Sequence, residues 1–190
     1  MTANPLQGER LRLAAIDLDK DLPAIAAWSR DTEFLRLLQT NTARPWTVAE
    51  LRKWVEDDLG VDEPKQEAYF FVARRLADDA VLGTLDLMIP EWAHRDAWIG
   101  IGLGDRATWG QGYGTEAMRL LLRFAFVELN LFRVTLSVFA YNPRAIHVYE
   151  QLGFVPEGAQ RERLRRDGRR YDLLIMGLLR SEWQAAQGVA

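Results

Sequence analysis

The chain has 190 residues, enough for one domain with a substantial core, and its 48% hydrophobic and 27% charged residues are ordinary for a globular protein. A formal net charge of −3 argues against bulk nucleic-acid binding, and the lack of any cysteine excludes disulfides, thiolate metal sites and a cysteine nucleophile. No run approaches the roughly 18 apolar residues of a membrane span.

The N-terminal "MTANPLQGER" lacks the basic and apolar blocks of a secretion signal, so a cytoplasmic protein is expected. His94 and His147 lie too far apart for a local zinc pattern, and no metal is expected. "LRLAAI" (Leu11–Ile16) alternates as a first strand, and "DKDLPAIAAWSRDTEFLRLL" reads as one or two helices with apolar positions at Leu22, Ile25, Ala26, Phe34, Leu37 and Leu38. Thr47 and Glu50 form a Thr-x-x-Glu capping box in front of "LRKWVEDDL". Two strands follow, Ala68–Arg74 and Val81–Met88, joined by a turn around Asp78–Asp79, and "AWIGIGL" (Ala97–Leu103) is a further strand.

A glycine-rich loop, "TWGQGYGTEAM", comes next, and a helix runs from about Thr115 to Leu129 with its stripe at Met118, Leu121, Leu122, Ala125 and Leu129. "RVTLSVF" (Arg133–Phe139) is a strand by its β-branched alternation. In "NPRAIHVYEQLG", Asn142 is the N-cap, Pro143 the first helical residue and Gly153 the terminator. The remaining segment reads as two strands around an Asp167-Gly168 hairpin turn. The pattern is α+β, not a repeated βαβ fold.

The glycine-rich stretch Thr108–Met118 contains neither Lys nor Arg. The GxxxxGK[ST] phosphate loop is absent, and the GxGxG spacing is not the GxGxxG dinucleotide fingerprint, so ATP and NAD are poor candidates. An anion can still be held by the first turn of a helix, whose N–H groups have no intrahelical partner and whose dipole places roughly +0.5 charge there. Glycines let the backbone approach closely, so the N–H groups of Gln111, Gly112, Tyr113, Gly114 and Thr115 suit a pyrophosphate. Alone, the loop reads equally well as a turn that packs strand against helix. Asn142 and Tyr149 stand seven residues apart, almost two helical turns, and present an amide and a phenol on one face. Alone, one is a cap and the other a core aromatic.

Together, "AWIGIGL", "WGQGYGTEA" and "NPRAIHVYEQLGF" resemble the GNAT superfamily of acyl-CoA-dependent N-acetyltransferases, and more closely its RimJ/RimL-type branch, over roughly Leu11 to Trp183. The resemblance implies one N-acetyltransferase domain spanning 1–190, with a mixed, mostly antiparallel central sheet flanked by helices. It implies acetyl-CoA as co-substrate, with the glycine loop on the pyrophosphate and the backbone of Ile101, Gly102 and Leu103 along the pantetheine arm. Asn142 would hold the same arm, Tyr149 would sit near the sulfur as a proton donor, and Arg144 would meet the adenosine phosphates. Two departures stand out: Trp109 replaces a frequent Arg or Gln, and Trp98 stands where related chains often carry a Glu.

With that Glu missing, Asp86 is the first candidate for the general base, although its plain reading is a solvent-facing strand carboxylate; Glu33, Glu162 and Asp172 come behind it. Trp28, Phe34, Trp46 and Trp92 are the expected wall of a pocket for the acceptor, a protein N-terminus or a small-molecule amine. A homodimer is left open. A non-catalytic acyl-CoA sensor is the alternative in a different class. An RNA-associated module using the six arginines of "RERLRRDGRR" (Arg161–Arg170) is a third.

Overall fold

The computed structural model describes residues 4–58 and 68–188. Leu59, the last residue of the helix expected after Thr47, lies outside the described residues, as do the first three residues of the N-terminal segment.

A seven-stranded sheet organises the chain in the order β1-β2-β3-β4-β5-β7-β6. The strands are β1 (Leu11–Ala14), β2 (Ala68–Arg75), β3 (Val81–Met88), β4 (Asp96–Leu103), β5 (Arg133–Phe139), β6 (Val155–Arg166) and β7 (Arg169–Leu179). Every pairing is antiparallel except β4 with β5. The mixed, mostly antiparallel sheet matches the expected class. Asp167 and Gly168 both take positive φ, 50° and 76°, as a tight hairpin turn requires.

Among the described residues six α-helices cover the sheet: α1 (Leu18–Trp28), α2 (Thr32–Leu38), α3 (Val48–Asp58), α4 (Tyr113–Arg123), α5 (Pro143–Gln151) and α6 (Arg180–Ala186). Asp31 caps α2 by accepting from Glu33 N (2.9 Å), which splits the first helical stretch in two. The Thr47–Glu50 box forms: Glu50 N donates to Thr47 Oγ1 at 3.1 Å and Thr47 N to Glu50 Oε2 at 2.8 Å. The long helix expected from Thr115 begins at Tyr113, and its last part, Phe124–Glu128, widens into a π-turn. The terminal helix α6 was not foreseen; its seven residues are too few to show a periodic stripe.

Alternation places the main core. Leu85, Leu87, Ile99, Val134, Leu136 and Val138 point to one face and are buried against Met118, Leu121 and Leu122 of α4 and against α5. The opposite face carries α1, α2 and α3 around a smaller cluster of Leu22, Ile25, Ala26, Leu51 and Val55. α1 is fastened there by a buried ion pair: Arg74 (8% exposed) donates to Asp21 (1% exposed) at 2.7 and 2.9 Å. Removing one partner would strand a charge, a loss of about 3–5 kcal/mol. No helix among the described residues is long and apolar enough to cross a membrane.

Candidate active site

The parallel pair is where the sheet opens. β4 and β5 are joined only at Asp96–Arg133, Ala97–Val134 and Trp98–Thr135. Beyond Trp98, β4 stays paired with β3 as far as Leu103 and β5 with β7 as far as Phe139, while the two separate from each other. A gap through the sheet results, and a cavity of about 790 Å³ fills it.

The phase of the ladder decides which backbone groups face the gap. Gly104 N donates to Leu82 O at 2.9 Å, so even-numbered residues of β4 turn their N–H and C=O toward β3 and odd-numbered ones away from it. Ile99, Ile101 and Leu103 therefore present their peptide groups to the gap. Gly102 does not: its backbone belongs to the ladder with Thr84, which corrects its expected part in pairing with an extended ligand. Its contribution is clearance, since a Cβ there would lie 2.5 Å from Leu38 of α2. The Leu103 carbonyl is already taken, because Trp109 Nε1 donates to it at 2.9 Å. From the other wall, Ala140 N donates to Asp172 O (3.1 Å), which fixes Ser137 and Phe139 as the gap-facing residues of β5.

At one end of the gap stands the glycine loop. Gly112 sits at φ +83° as the N-cap of α4, and Glu116 N is the first helical donor to reach back, to Gly112 O at 3.0 Å. The N–H groups of Gly112, Tyr113, Gly114 and Thr115 thus precede the first helical bond. Gly110, Gly112, Gly114 and Thr115 line the cavity. The Gln111 side chain folds back onto Ala107 O, and the Tyr113 ring lies under Arg10, 4.8 Å from its guanidinium. For those two residues only the backbone is left to serve a ligand.

Arg10 went unnoticed in the sequence. Its Nε pairs with Glu116 Oε2 at 2.9 Å and its Nη1 donates to Gln111 O at 2.8 Å. Because a peptide's C=O and the next N–H point in opposite directions, drawing Gln111 O toward Arg10 turns Gly112 N–H the other way. A hundred residues separate Arg10 from the loop, so no local pattern announces the contact. Arg144 lies 4.1 Å over the Trp109 ring and has no ion-pair partner among the described residues.

Asn142 and Tyr149 both line the cavity, as their spacing predicts. Asn142 caps α5 through its Oδ1, accepting from Ala145 N at 3.2 Å, which leaves its amide N–H groups available. Tyr149 is buried with its ring edge-on to Phe154 at 5.9 Å. Burial, and secondarily the charge of Asp86, pushes its phenol up to about 12.

Asp86 is not solvent-facing. It pairs across the strands with Gly100, and its carboxylate occupies the space a side chain there would need: a Cβ on Gly100 would lie 2.6 Å from Asp86 Oδ1. Among the described residues it is the single carboxylate lining the cavity, and burial raises it to about 6. The other titratable groups on that wall are Arg144, His147 and Tyr149. The remaining base candidates stand elsewhere. Glu33 pairs with Arg106 at 2.6 Å, and Asp172 accepts from Glu162 N at 2.8 Å in the β6–β7 hairpin. Among the described residues no cluster of acids and histidines would hold a metal.

Of the four expected acceptor aromatics only Phe34 lines the cavity. Trp28 packs over Gly104 and edge-on to Phe34 at 6.2 Å, Trp46 joins the α1–α3 cluster, and Trp92 sits in a 3-10 turn. The wall is built instead by Phe34, Leu37, Leu38, Gln39 and Thr40 of α2 and its exit, by Trp98, and by Phe139. The hairpin tip holds that wall: Arg166 Nη2 donates to Gln39 O (3.0 Å), Arg36 pairs with Asp167 (2.5 Å) and Tyr141 Oη donates to Arg36 O (2.6 Å).

Comparison with known proteins agrees with this geometry. Residues 10–155 match the acetyltransferase (GNAT) domain family. The chain is 29% identical over 182 residues to the SPbeta prophage-derived uncharacterized N-acetyltransferase YokL of Bacillus subtilis, covering 95% of this chain and 96% of that protein. It is 32% identical over 113 residues to a spermidine N(1)-acetyltransferase of Vibrio cholerae, which is 58% of this chain and 65% of the relative. The crystal structure of spermidine N-acetyltransferase from Vibrio cholerae in complex with CoA and spermine aligns with a TM-score of 0.79 at 25% identity, over 92% of this chain and 98% of that one.

Proposed function

The chain belongs to the GNAT acetyltransferase family and is an N-acetyltransferase with acetyl-CoA as co-substrate; on that premise we propose that it acetylates a primary amine of a small molecule within the β4–β5 gap. We assign the whole chain, with its core over roughly residues 11–183, to one acetyltransferase domain. The observation that carries the reading is that Asp86 and Tyr149 both line a gap whose strand edges are unpaired.

An unpaired strand edge is completed by an extended ligand with amides of its own. Ile101 offers that edge to the pantetheine arm, and Asn142 donates from the far wall. The N–H groups of Gln111, Gly112, Tyr113, Gly114 and Thr115 receive the pyrophosphate, and Arg144 adds the positive charge.

Asp86 accepts the proton of the attacking amine as the new C–N bond forms. At about 6 it is ionised at neutral pH and still basic enough to serve. The gap-facing Leu103 N–H steadies the oxyanion of the tetrahedral state. When the C–S bond breaks, Tyr149 gives its proton to the departing sulfur. A thiolate leaving into an apolar site is itself more basic than in water, which brings it closer to the raised phenol. The proton on Asp86 returns through solvent to the phenolate, and the products are the acetylated amine and free coenzyme A.

Thiol release from acetyl-CoA, followed with a dye that cannot react with this cysteine-free chain, tests the assignment. Amine-stimulated release that is lost in Asp86→Asn, with acetyl-CoA binding unchanged by calorimetry, is the expected result. Undiminished release in Asp86→Asn would remove the carboxylate from the reaction.

A further inference from the structure

The acceptor side of the cavity has a chemistry of its own. Among the described residues it holds one carboxylate, Asp86, and that group is engaged by the amine that reacts. The charged side chains beside it are engaged with one another or with the backbone: Arg166 bonds the α2 exit, Arg36 pairs with Asp167, and Arg133, on the strand next to Trp98, pairs with Glu157 at 2.6 Å. Past Asp86, on the same face, the wall continues as apolar surface. Trp98 lines the cavity, is 42% exposed, and is the cross-strand partner of Met88, which is 56% exposed. Cross-strand partners share a face and lie side by side. Together they form a flat platform that runs outward from the carboxylate.

A polyamine bound here would bring one ammonium to Asp86 and lay the others over an indole and a thioether. On this exposed surface they stay hydrated and gain only a weak cation–π contact, so the platform offers their charge no selective partner. An aromatic or broad aliphatic body covers the exposed platform.

We infer that the acceptor is a monoamine carried on a flat apolar body, which lies on the Trp98–Met88 platform with its amine at Asp86, and that polyamines are poor acceptors. The inference rests on the acetyl-transfer reading above and names the substrate class of the same site. Trp98 is the specificity-determining residue. It stands beside Asp86's cross-strand partner on the same face and offers the acceptor surface contact and no charge.

Steady-state thiol release with phenethylamine, tryptamine, spermidine and spermine, on the full chain, provides the test. The aromatic monoamines should exceed the polyamines in kcat/KM by at least about tenfold, the discrimination one apolar contact surface commonly supplies. Trp98→Ala should remove that advantage while leaving the KM for acetyl-CoA unchanged, and Trp98→Glu should reverse the order. Met88→Ser, a change at an exposed position, should weaken the aromatic amines alone and serves as a second variant if Trp98 is needed for folding. Polyamines matching or exceeding the monoamines, or Trp98→Ala lowering all four amines equally, would overturn the inference and leave acetyl transfer standing. Silence with every amine, in protein that binds acetyl-CoA, would overturn acetyl transfer to small amines and this inference with it.

Discussion

The two ends of the gap are built on different principles. At the loop end the recognising groups are backbone amides, held by a helix start and by glycines that keep side chains away. At the acceptor end they are side chains from β3, β4, β5, α2 and the turn after it, brought together by tertiary packing. Backbone recognition depends on conformation, so many side chains are tolerated and the constraint shows as a spacing of glycines. Side-chain recognition depends on identity at scattered positions, so the same fold accepts different amines by changing a few residues.

The sharpest way to separate the two ends is to remove chemistry from one without touching the other. Tyr149→Phe and Asp86→Asn should each lower kcat by about 10²–10⁴-fold, the usual range for a positioned acid or base. Both should leave the acetyl-CoA KM within about twofold, because neither group belongs to the loop end. A matched rise in KM would mean that the two ends share their binding groups.

How much of this was legible beforehand follows the same division. Gly110, Gly112, Gly114, Asn142 and Tyr149 are spaced within single elements, and their placement along the cavity agrees with the sequence. The boundaries of β3 and β5 agree to the residue, since both are β-branched or apolar runs with clear turns at their ends. Asp86 was found as a lone carboxylate, but its environment was misjudged because alternation reveals only that it faces away from Leu85 and Leu87. That its face is roofed by α2 is a tertiary fact. Trp28, Trp46 and Trp92 were misassigned for the converse reason: aromatic content near a helix does not tell which face meets the gap. Gly100 and Arg10 gave no signal, since each is explained only by a partner on another element.

Two glycine substitutions should then produce opposite kinetic signatures. Gly100→Ala places a methyl group where the Asp86 carboxylate lies, 2.6 Å from Oδ1, and forces that short side chain aside. Displacement of a catalytic group by about 1 Å commonly costs about 10²-fold, so kcat should fall by that order with the acetyl-CoA KM unaffected. Gly112→Ala puts a Cβ on a residue at φ +83° and 3.1 Å from an Arg10 nitrogen. Left-handed backbone disfavours alanine by about 1–2 kcal/mol, so the loop should relax and the acetyl-CoA KM should rise about tenfold while kcat is largely kept. Should both variants fail in kcat alone, the division between the ends would be wrong.

Arg10→Met gives a smaller effect at the loop end. It keeps an unbranched apolar side chain but removes the bonds to Gln111 O and Glu116 and the guanidinium over the Tyr113 ring. The Gln111–Gly112 peptide is then free to rotate, and the acetyl-CoA KM should rise about threefold to tenfold with kcat retained. Arg10→Lys should restore only part of it, because one ammonium cannot serve both partners in the guanidinium's planar geometry. An unchanged KM in Arg10→Met would show that the glycines hold the loop unaided.

The smallest effect concerns stability. Asp86 titrates at about 6 in the folded chain against an ordinary 3.8, raised by burial, so between those values the folded state binds more protons than the unfolded one. Stability must therefore decline as pH rises through that window, and above it the full cost of an ionised, desolvated carboxylate persists. This is the reverse of a salt-bridged carboxylate such as Asp31, which Arg106 holds down at about 2 and which loses its contribution only on strong acidification. In Asp86→Asn the charge is gone, so its Tm relative to the natural chain should climb from pH 4 to pH 7 and then level off. A constant offset over that range would mean that water reaches Asp86 well enough to solvate it. The same series read as activity should lose the kinetic limb near pH 6 in the variant. A carboxylate that weakens the fold at neutral pH fits the proposed part in proton transfer better than a part in packing.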